Sequence, residues 1–300
     1  MVARPSAPEW EPARYLRFER ERSQPCRDLV ARIEVRDPRR VADLGCGPGN
    51  STAILRERWP RAEWVGVDSS PEMLAMARRR GPAARWILGD LRSWRPVAPV
   101  DVLLSNAAMH WVPNHAQEFP RLLGLVAAGG ALAVQMPANS NEPYLDALTR
   151  VQDRAPWSRV APPTVPDTGL LSAAEYYDVL APVAREVHLW DTRYYHVLPG
   201  PEAIVDWTRG AGLRPWLAAL ASDDERHRFL AEYLAEVTEV YPRRADGRVL
   251  FPFLRRFLIA YREGSAHRRE SLPRVRGPGS RTRARIRRTP SHRPSGSRSR

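Results

Sequence analysis

Val41-Ala-Asp43-Leu-Gly45-Cys-Gly47-Pro-Gly49-Asn50-Ser51-Thr52 is the stretch that decides how this chain folds. Residues 41–44 read as a short buried strand. Three glycines at alternate positions follow, and residues 51–58 then read as a helix. Glycines in that place let the backbone turn sharply and let a ligand touch bare main chain. The helix N-terminus behind them favours a negative group. The spacing is not the dinucleotide fingerprint G-x-G-x-x-G, because the third glycine comes one residue early and an acidic residue precedes the first. Taken alone, such a loop also fits a turn with a packing role only.

The same rhythm continues outward. Residues 64–67 form a second strand ending at Asp68, and Ser70-Pro71 opens a helix with Ser70 as N-cap and Pro71 at the first helical position. Residues 85–88 and 100–104 read as the third and fourth strands. A fifth, 131–135, follows a turn at Gly129-Gly130. Strands alternating with helices at this spacing predict an α/β fold, a doubly wound and mostly parallel sheet with helices on both faces. Ligands of such sheets sit at the carboxyl ends of the strands, where the strand order reverses. Segment 138–182 is rich in proline, with helical pieces around Leu145 and Tyr176, and reads as a helical cap over the sheet edge. Strand character returns at 187–195, helices are expected over 201–220 and 223–241, and 253–260 closes the fold as a strand.

Charge divides the chain. The 300 residues carry +13, but 264–300 hold 12 Arg and one Glu, a net of +11, which leaves +2 for residues 1–263. The expected organisation is therefore one domain over 1–263 and an Arg-rich tail over 264–300. The tail has too little apolar surface to offset chain entropy and is expected to be disordered. All 47 basic residues are Arg, which with 29 Pro reads as GC-rich coding rather than chemistry. A nearly neutral body argues against nucleic-acid binding as the main role. The tail alone would bind phosphate backbones without sequence choice, and it also fits an off-frame extension. Cys26 and Cys46 make no disulfide framework. The N-terminus is no signal peptide and no segment reads as a membrane span, so a reduced cytoplasmic protein, monomeric and without a metal, is the expectation.

Asp68 ends its strand 25 residues after Asp43, where a carboxylate can accept both ribose hydroxyls of a nucleoside. Asp90 ends the third strand and can accept the exocyclic amine of an adenine. An Asp at a strand end is also a common cap. The glycine loop, Asp68 and Asp90 together point to an adenosyl cofactor.

In the order of these elements the chain resembles the class I methyltransferases that use S-adenosylmethionine. Within them it is similar to the trans-aconitate 2-methyltransferase family. The resemblance rests on Trp10-Glu-Pro-Ala-Arg-Tyr15-Leu-Arg-Phe18, the glycine loop, Val67-Asp-Ser-Ser-Pro-Glu-Met73, Asn106-Ala-Ala-Met-His-Trp-Val112 and Ala133-Val-Gln-Met-Pro137. In the second half it rests on Tyr194-Tyr-His196, Ile204-Val-Asp-Trp207, Gly212-Leu-Arg-Pro-Trp216 and Phe251-Pro-Phe-Leu-Arg-Arg-Phe257, and it runs to Arg262. It implies a seven-stranded sheet and monomethyl esterification of trans-aconitate. Cofactor contacts are implied at Asp43, Gly45, Gly47, Gly49, Asp68, Asp90 and Asn106. Gln24 and His110 depart from the family's usual residues and bear on acceptor choice.

A carboxylate acceptor is already ionised at neutral pH, so no catalytic side chain is expected beyond those that position the reactants. His110 and His196 read as structural histidines. A tricarboxylate needs guanidinium partners. Arg22, Arg214, Arg255 and Arg256 are the arginines inside the matched motifs, and Tyr15, Trp111 and Tyr195 are candidate pocket walls. Another small acid or a natural-product hydroxyl is the alternative acceptor.

Overall fold

The computed structural model describes residues 18–81, 83–139, 142–160, 170–210 and 212–264, without the side chain of Arg214. The expected disordered tail and Tyr15 lie outside the described residues. Seven strands form one sheet: β1 (Arg40–Leu44), β2 (Glu63–Asp68), β3 (Arg85–Leu88), β4 (Val100–Asn106), β5 (Val126–Pro137), β6 (Ala184–Leu198) and β7 (Val249–Arg262). Their order is β3-β2-β1-β4-β5-β7-β6. The first five are parallel, and β7 runs antiparallel to both β5 and β6. The order reverses between β1 and β4, so the crevice for a ligand opens beyond their carboxyl ends.

Alternation along the strands sorts side chains onto two faces. On one, Val41, Leu104, Ala133 and Phe257 pack under α1 (Glu19–Ala31) and α2 (Asn50–Arg58) through Cys26, Leu29, Ile54 and Leu55. On the other, Leu44, Leu103, Leu132 and Leu258 pack against α4 (His115–Gly124) and α6 (Ala173–Leu180) through Phe119 and Tyr176. Between them in sequence, α3 (Pro71–Arg80) begins at Ser70, whose Oγ accepts the Met73 N–H at 3.2 Å, as the Ser-Pro pair predicts. No helix among the described residues is long and apolar enough to cross a membrane.

Beyond the end of β5, whose last pairing is Pro137 with Arg255, β6 and β7 continue as a two-stranded ribbon. Leu198, Phe251 and Phe253 on this ribbon pack with α5 (Pro143–Gln152), α7 (Pro201–Arg209) and α9 (Asp223–Val240). This third cluster overhangs the carboxyl edge of the sheet.

Three sequence expectations change. Gly129-Gly130 is not a turn before β5 but lies inside it. The strand starts at Val126, opposite Val100, and resumes pairing at Ala131, opposite Val102, with Gly129 at φ +78° in the excursion. The helix expected over 201–220 is broken into α7 and the short α8 (Arg214–Ala219). The described parts of segment 138–182 divide between two places. α5 and Trp157, which meets Phe229 edge-to-face at 5.3 Å, join the cluster above the edge. α6 instead descends to the sheet face, because Tyr176 and Leu180, one helical turn apart, find Phe119 there.

Candidate active site

The glycine loop is held from below by β2. Gly45 and Cys46 donate their N–H groups to the Val67 carbonyl at 2.8 and 3.1 Å. Asp68 accepts the Gly47 N–H on Oδ2 at 2.8 Å and the Ser70 N–H on Oδ1 at 2.9 Å. Each carboxylate oxygen keeps a lone pair for a further donor. Burial raises the Asp68 pKa, against the pull of those backbone bonds.

The three glycines do different work. Gly45 has φ +71°, and a Cβ there would run into the Cβ of Ala108. Gly49 is closed off by Trp86 at 3.1 Å and Ala77 at 3.5 Å. Only Gly47, at φ +53°, has nothing within 4 Å of where a side chain would start. Protein packing therefore explains two of these glycines, and bare backbone open to a ligand remains at the middle one. Gly45→Ala is expected to cost about 2–4 kcal/mol, from overpacking against Ala108 and from left-handed backbone. Chemical denaturation checks this, and a variant as stable as the parent would contradict the close approach.

Asp43 is buried, and its Oδ2 accepts the hydroxyls of Ser51 and Thr52, both at 2.6 Å. This locks the first turn of α2 to the end of β1. Its Oδ1 has no hydrogen-bond partner among the described residues. Burial raises the carboxyl to about 6, with the two hydroxyls pulling it down and Asp68 pushing it up.

Register puts other polar groups beside it. Asp43 pairs with Leu104, Asn106 with Gln135, Gln135 with Phe257, and Pro137 with Arg255. Asp43, Asn106, Gln135 and Arg255 therefore share the face that α1 and α2 cover, all at the carboxyl edge. Asn106 Oδ1, both amide atoms of Gln135, His110 Nδ1 and His196 Nε2 are buried without a hydrogen-bond partner among the described residues. Each such group costs roughly 1–3 kcal/mol, and folded proteins rarely collect several in one place. Asp43 and Asn106 border the strand-order reversal and Gln135 stands on the next strand, so unpaired polar atoms line the carboxyl edge there, which marks a polar ligand site.

Above this edge the wall is basic and aromatic. Arg255 is only 4% exposed, and its guanidinium lies 4.4 Å from the Phe253 ring. Arg22 sits over Trp207 at 5.0 Å and donates to the Trp207 carbonyl at 3.4 Å. Both approach His196, which lies 4.8 Å from Trp207. Burial, then Arg255 and Arg22, lower the His196 pKa to about 4. Burial, then Arg255 and His115, lower that of His110 to about 3. Tyr194 donates its hydroxyl to Asp28, whose other oxygen accepts the Gln24 amide at 2.8 Å, so α1 is tied to β6 across the site. The loop carrying His110 is braced by His115, bonded to the Met109 carbonyl at 2.9 Å and to the Tyr176 hydroxyl.

Some expected site residues stand elsewhere. Arg256 projects opposite to Arg255, as neighbours on a strand must. Its Nε and Nη2 fork Asp191, both at 2.9 Å, and Nη1 donates to the Leu171 carbonyl at 2.9 Å. It ties the chain leading into α6 to the sheet and does not join the other arginines. Tyr195 is 63% exposed on the outer side of the ribbon, and Tyr194 is the tyrosine that faces inward. Trp111 is partly exposed against His110, with ring centroids 4.8 Å apart. Asp90 stands beyond the end of β3 as expected, but Arg92 forks both its oxygens and holds its pKa down. The Arg214 side chain lies outside the described residues. Gln135 stands outside the expected site residues. A Gln between Val134 and Met136, inside a wholly apolar strand, was the available signal.

These shifts set a pH dependence. His110 and His196 have folded pKa values below the ordinary ~6.5, so the unfolded chain binds protons more tightly and their contribution fades as pH falls below that value. Asp43, raised above ~3.9, acts in the opposite sense, its contribution fading as pH rises toward 6. Burial also lowers the His115 pKa and raises that of Asp68, so three histidines stand against two carboxyls and set the sign between pH 7 and 5. Stability is expected to drop by on the order of 2–3 kcal/mol over that range. Urea unfolding at the two pH values reads it, and equal or greater stability at pH 5 would contradict the burial of these rings.

Residues 41–130 match the model of the family described as Methyltransferase domain. The chain is 49% identical over 255 residues to trans-aconitate 2-methyltransferase of Azoarcus sp. (strain BH72), covering 85% of this chain and 100% of that protein. It is 44% identical over 258 residues to trans-aconitate 2-methyltransferase of Yersinia pestis (strain Pestoides F), covering 84% and 98%. The crystal structure of the YcgJ protein from Bacillus subtilis superposes with a TM-score of 0.50 at 14% identity, covering 79% of this chain and 98% of that one. That last likeness is one of fold.

Proposed function

We propose, because this chain belongs to the trans-aconitate 2-methyltransferase family, that it transfers a methyl group from S-adenosylmethionine to one carboxylate of trans-aconitate. The observation that carries the reading is that Arg22 lies over Trp207 and Arg255 over Phe253, the two rings that flank His196, with Arg255 on the same sheet face and edge as the open glycine loop. A small polyanion and a nucleoside cofactor are what such neighbours suit. The acid is the partner, without a membrane and with nucleic acid met only non-specifically through the tail, and the chain works as a cytoplasmic monomer through residues 1–263.

The residues present fit the cofactor. Gly47 offers open backbone, and Asp68 offers two oxygens already oriented by loop N–H groups, which suits paired ribose hydroxyls. The unpartnered Asp43 Oδ1 and Asn106 Oδ1 are buried acceptors that suit the cationic methionine portion. Asp90, just beyond β3, is the acceptor assigned to the adenine amine, sharing its oxygens with Arg92. When bound, S-adenosylmethionine supplies a methyl group on a positively charged sulfur, already activated for displacement.

What the protein contributes is placement. Arg255 and Arg22 bind carboxylates of the acid through charge-assisted pairs. Tyr194, Trp207 and Phe253 exclude water around them. The acceptor carboxylate titrates near ~4 and needs no base. His110 and His196 stay neutral at pH 7, and pKa values of about 3 and 4 make them poor proton acceptors. Holding two reactants in line can offset roughly 7–11 kcal/mol of barrier.

The turnover number for trans-aconitate is therefore expected to be nearly flat from about pH 6.5 to 9, and His110→Gln should keep it within about threefold. Saturation kinetics across this range test the reading. A turnover falling tenfold per pH unit below 7, with a dead His110→Gln enzyme that still binds both ligands, would mean a general base and a hydroxyl acceptor.

A further inference from the structure

Resting on that reading, we infer that Gln135 holds the carboxylate that receives the methyl group, while Arg255 and Arg22 hold the carboxylates that remain ionised. Gln135 is fully buried, and neither its Oε1 nor its Nε2 has a hydrogen-bond partner among the described residues. Its strand neighbours Val134 and Met136 are buried apolar residues, so nothing in the strand itself calls for an amide. Register sets it between Asn106 on β4 and Phe257 on β7. On that face it lies between the Asp43 and Asn106 acceptors and the Arg255 and His196 wall. It is the polar group placed between the two reactants.

An amide suits this place better than a guanidinium. In the transfer, a carboxylate oxygen forms a bond to the methyl carbon while the carbon–sulfur bond breaks. The electron pair of that bond stays on sulfur, the ester and the thioether are both neutral, and no proton moves. The negative charge on the reacting carboxylate is thus consumed on the way to the transition state. A guanidinium fork there would bind the starting carboxylate more tightly than the transition state and would slow the step. The Gln135 amide donates a neutral hydrogen bond to one oxygen and leaves the other free to attack. Its oxygen end suits the cation on the cofactor side. The carboxylates that do not react keep their charge throughout, and there the arginines cost nothing in rate.

Gln135→Met keeps length and removes the donor. It is expected to lower the turnover number about tenfold or more, with the Michaelis constant for trans-aconitate and the Kd for S-adenosylmethionine within about threefold of the parent. Its melting temperature should not fall, since the amide has no protein partner to lose. Gln135→Glu, the same shape with a repelling charge, should be slower than the Met variant. An unchanged turnover number in Gln135→Met would overturn the inference. A tenfold loss of cofactor affinity would reassign the amide to the cofactor, and a large fall in melting temperature in both variants would reassign it to the fold. If the parent enzyme forms no methyl ester from trans-aconitate, the underlying reading fails; if it does and Gln135→Met matches it, only this inference fails.

Discussion

Arg255→Met should lower kcat/KM for trans-aconitate by roughly 10²–10³, the loss typical when one partner of a buried charge pair is truncated. The side chain is only 4% exposed, and its guanidinium rests on Phe253, so Met preserves much of the packing while removing the charge. The loss should appear mainly as a raised Michaelis constant, because the acid loses a ground-state contact as well as a transition-state one. Arg255→Lys should recover part of it, since an ammonium keeps the charge without the planar fork. Cofactor affinity should stay near the parent value. The guanidinium also lowers the pKa values of His110 and His196, so both rings should titrate higher in the variant, which NMR can follow. Unchanged kinetics with the acid would remove Arg255 from the substrate pocket.

Gly47→Val should weaken S-adenosylmethionine binding by more than about 100-fold, with the fold retained. The space beyond the Gly47 backbone is open on the protein side, so a branched side chain meets no protein atom at once. It fills the region where a ligand would lie against main chain. A residue at φ +53° with a branched Cβ is also strained, and relief of that strain would move the N–H that Asp68 accepts. Two causes therefore act on the same site in the same direction. Calorimetry on the folded variant measures the effect. Normal affinity would make the loop a packing turn and nothing more.

Residues 41–88 are legible from sequence alone, because each strand there is short, apolar and ended by Gly or Asp, whereas β4 runs two residues past the expected Leu104, to Asn106. β3 is found at the expected residues, and the Ser70-Pro71 helix start is found with its cap. Gly129-Gly130 was read as a turn because two glycines usually are one. Inside a strand they serve a register excursion that only the partner strand explains. In the site, the loop and the acidic residues were legible because glycine spacing and strand ends carry local signals. The arginines were not separable by sequence. Arg255 and Arg256 are adjacent and chemically identical, and only strand alternation sends one inward and the other to Asp191. The same alternation exchanges Tyr194 for Tyr195. Gln135 was missed because an isolated Gln has no spacing to read, and its meaning comes from Asn106 and Arg255 arriving from other strands.

The central claim is that this chain makes a methyl ester of a small tricarboxylate. Incubating the full chain with S-adenosylmethionine and trans-aconitate and reading the products by mass tests it most directly. The expected result is an acid heavier by a single CH2 unit, formed one for one with S-adenosylhomocysteine and cleaved back to trans-aconitate by mild base, as an ester must be. A cofactor that binds but yields no such ester, or a methylated product that resists base, would contradict it.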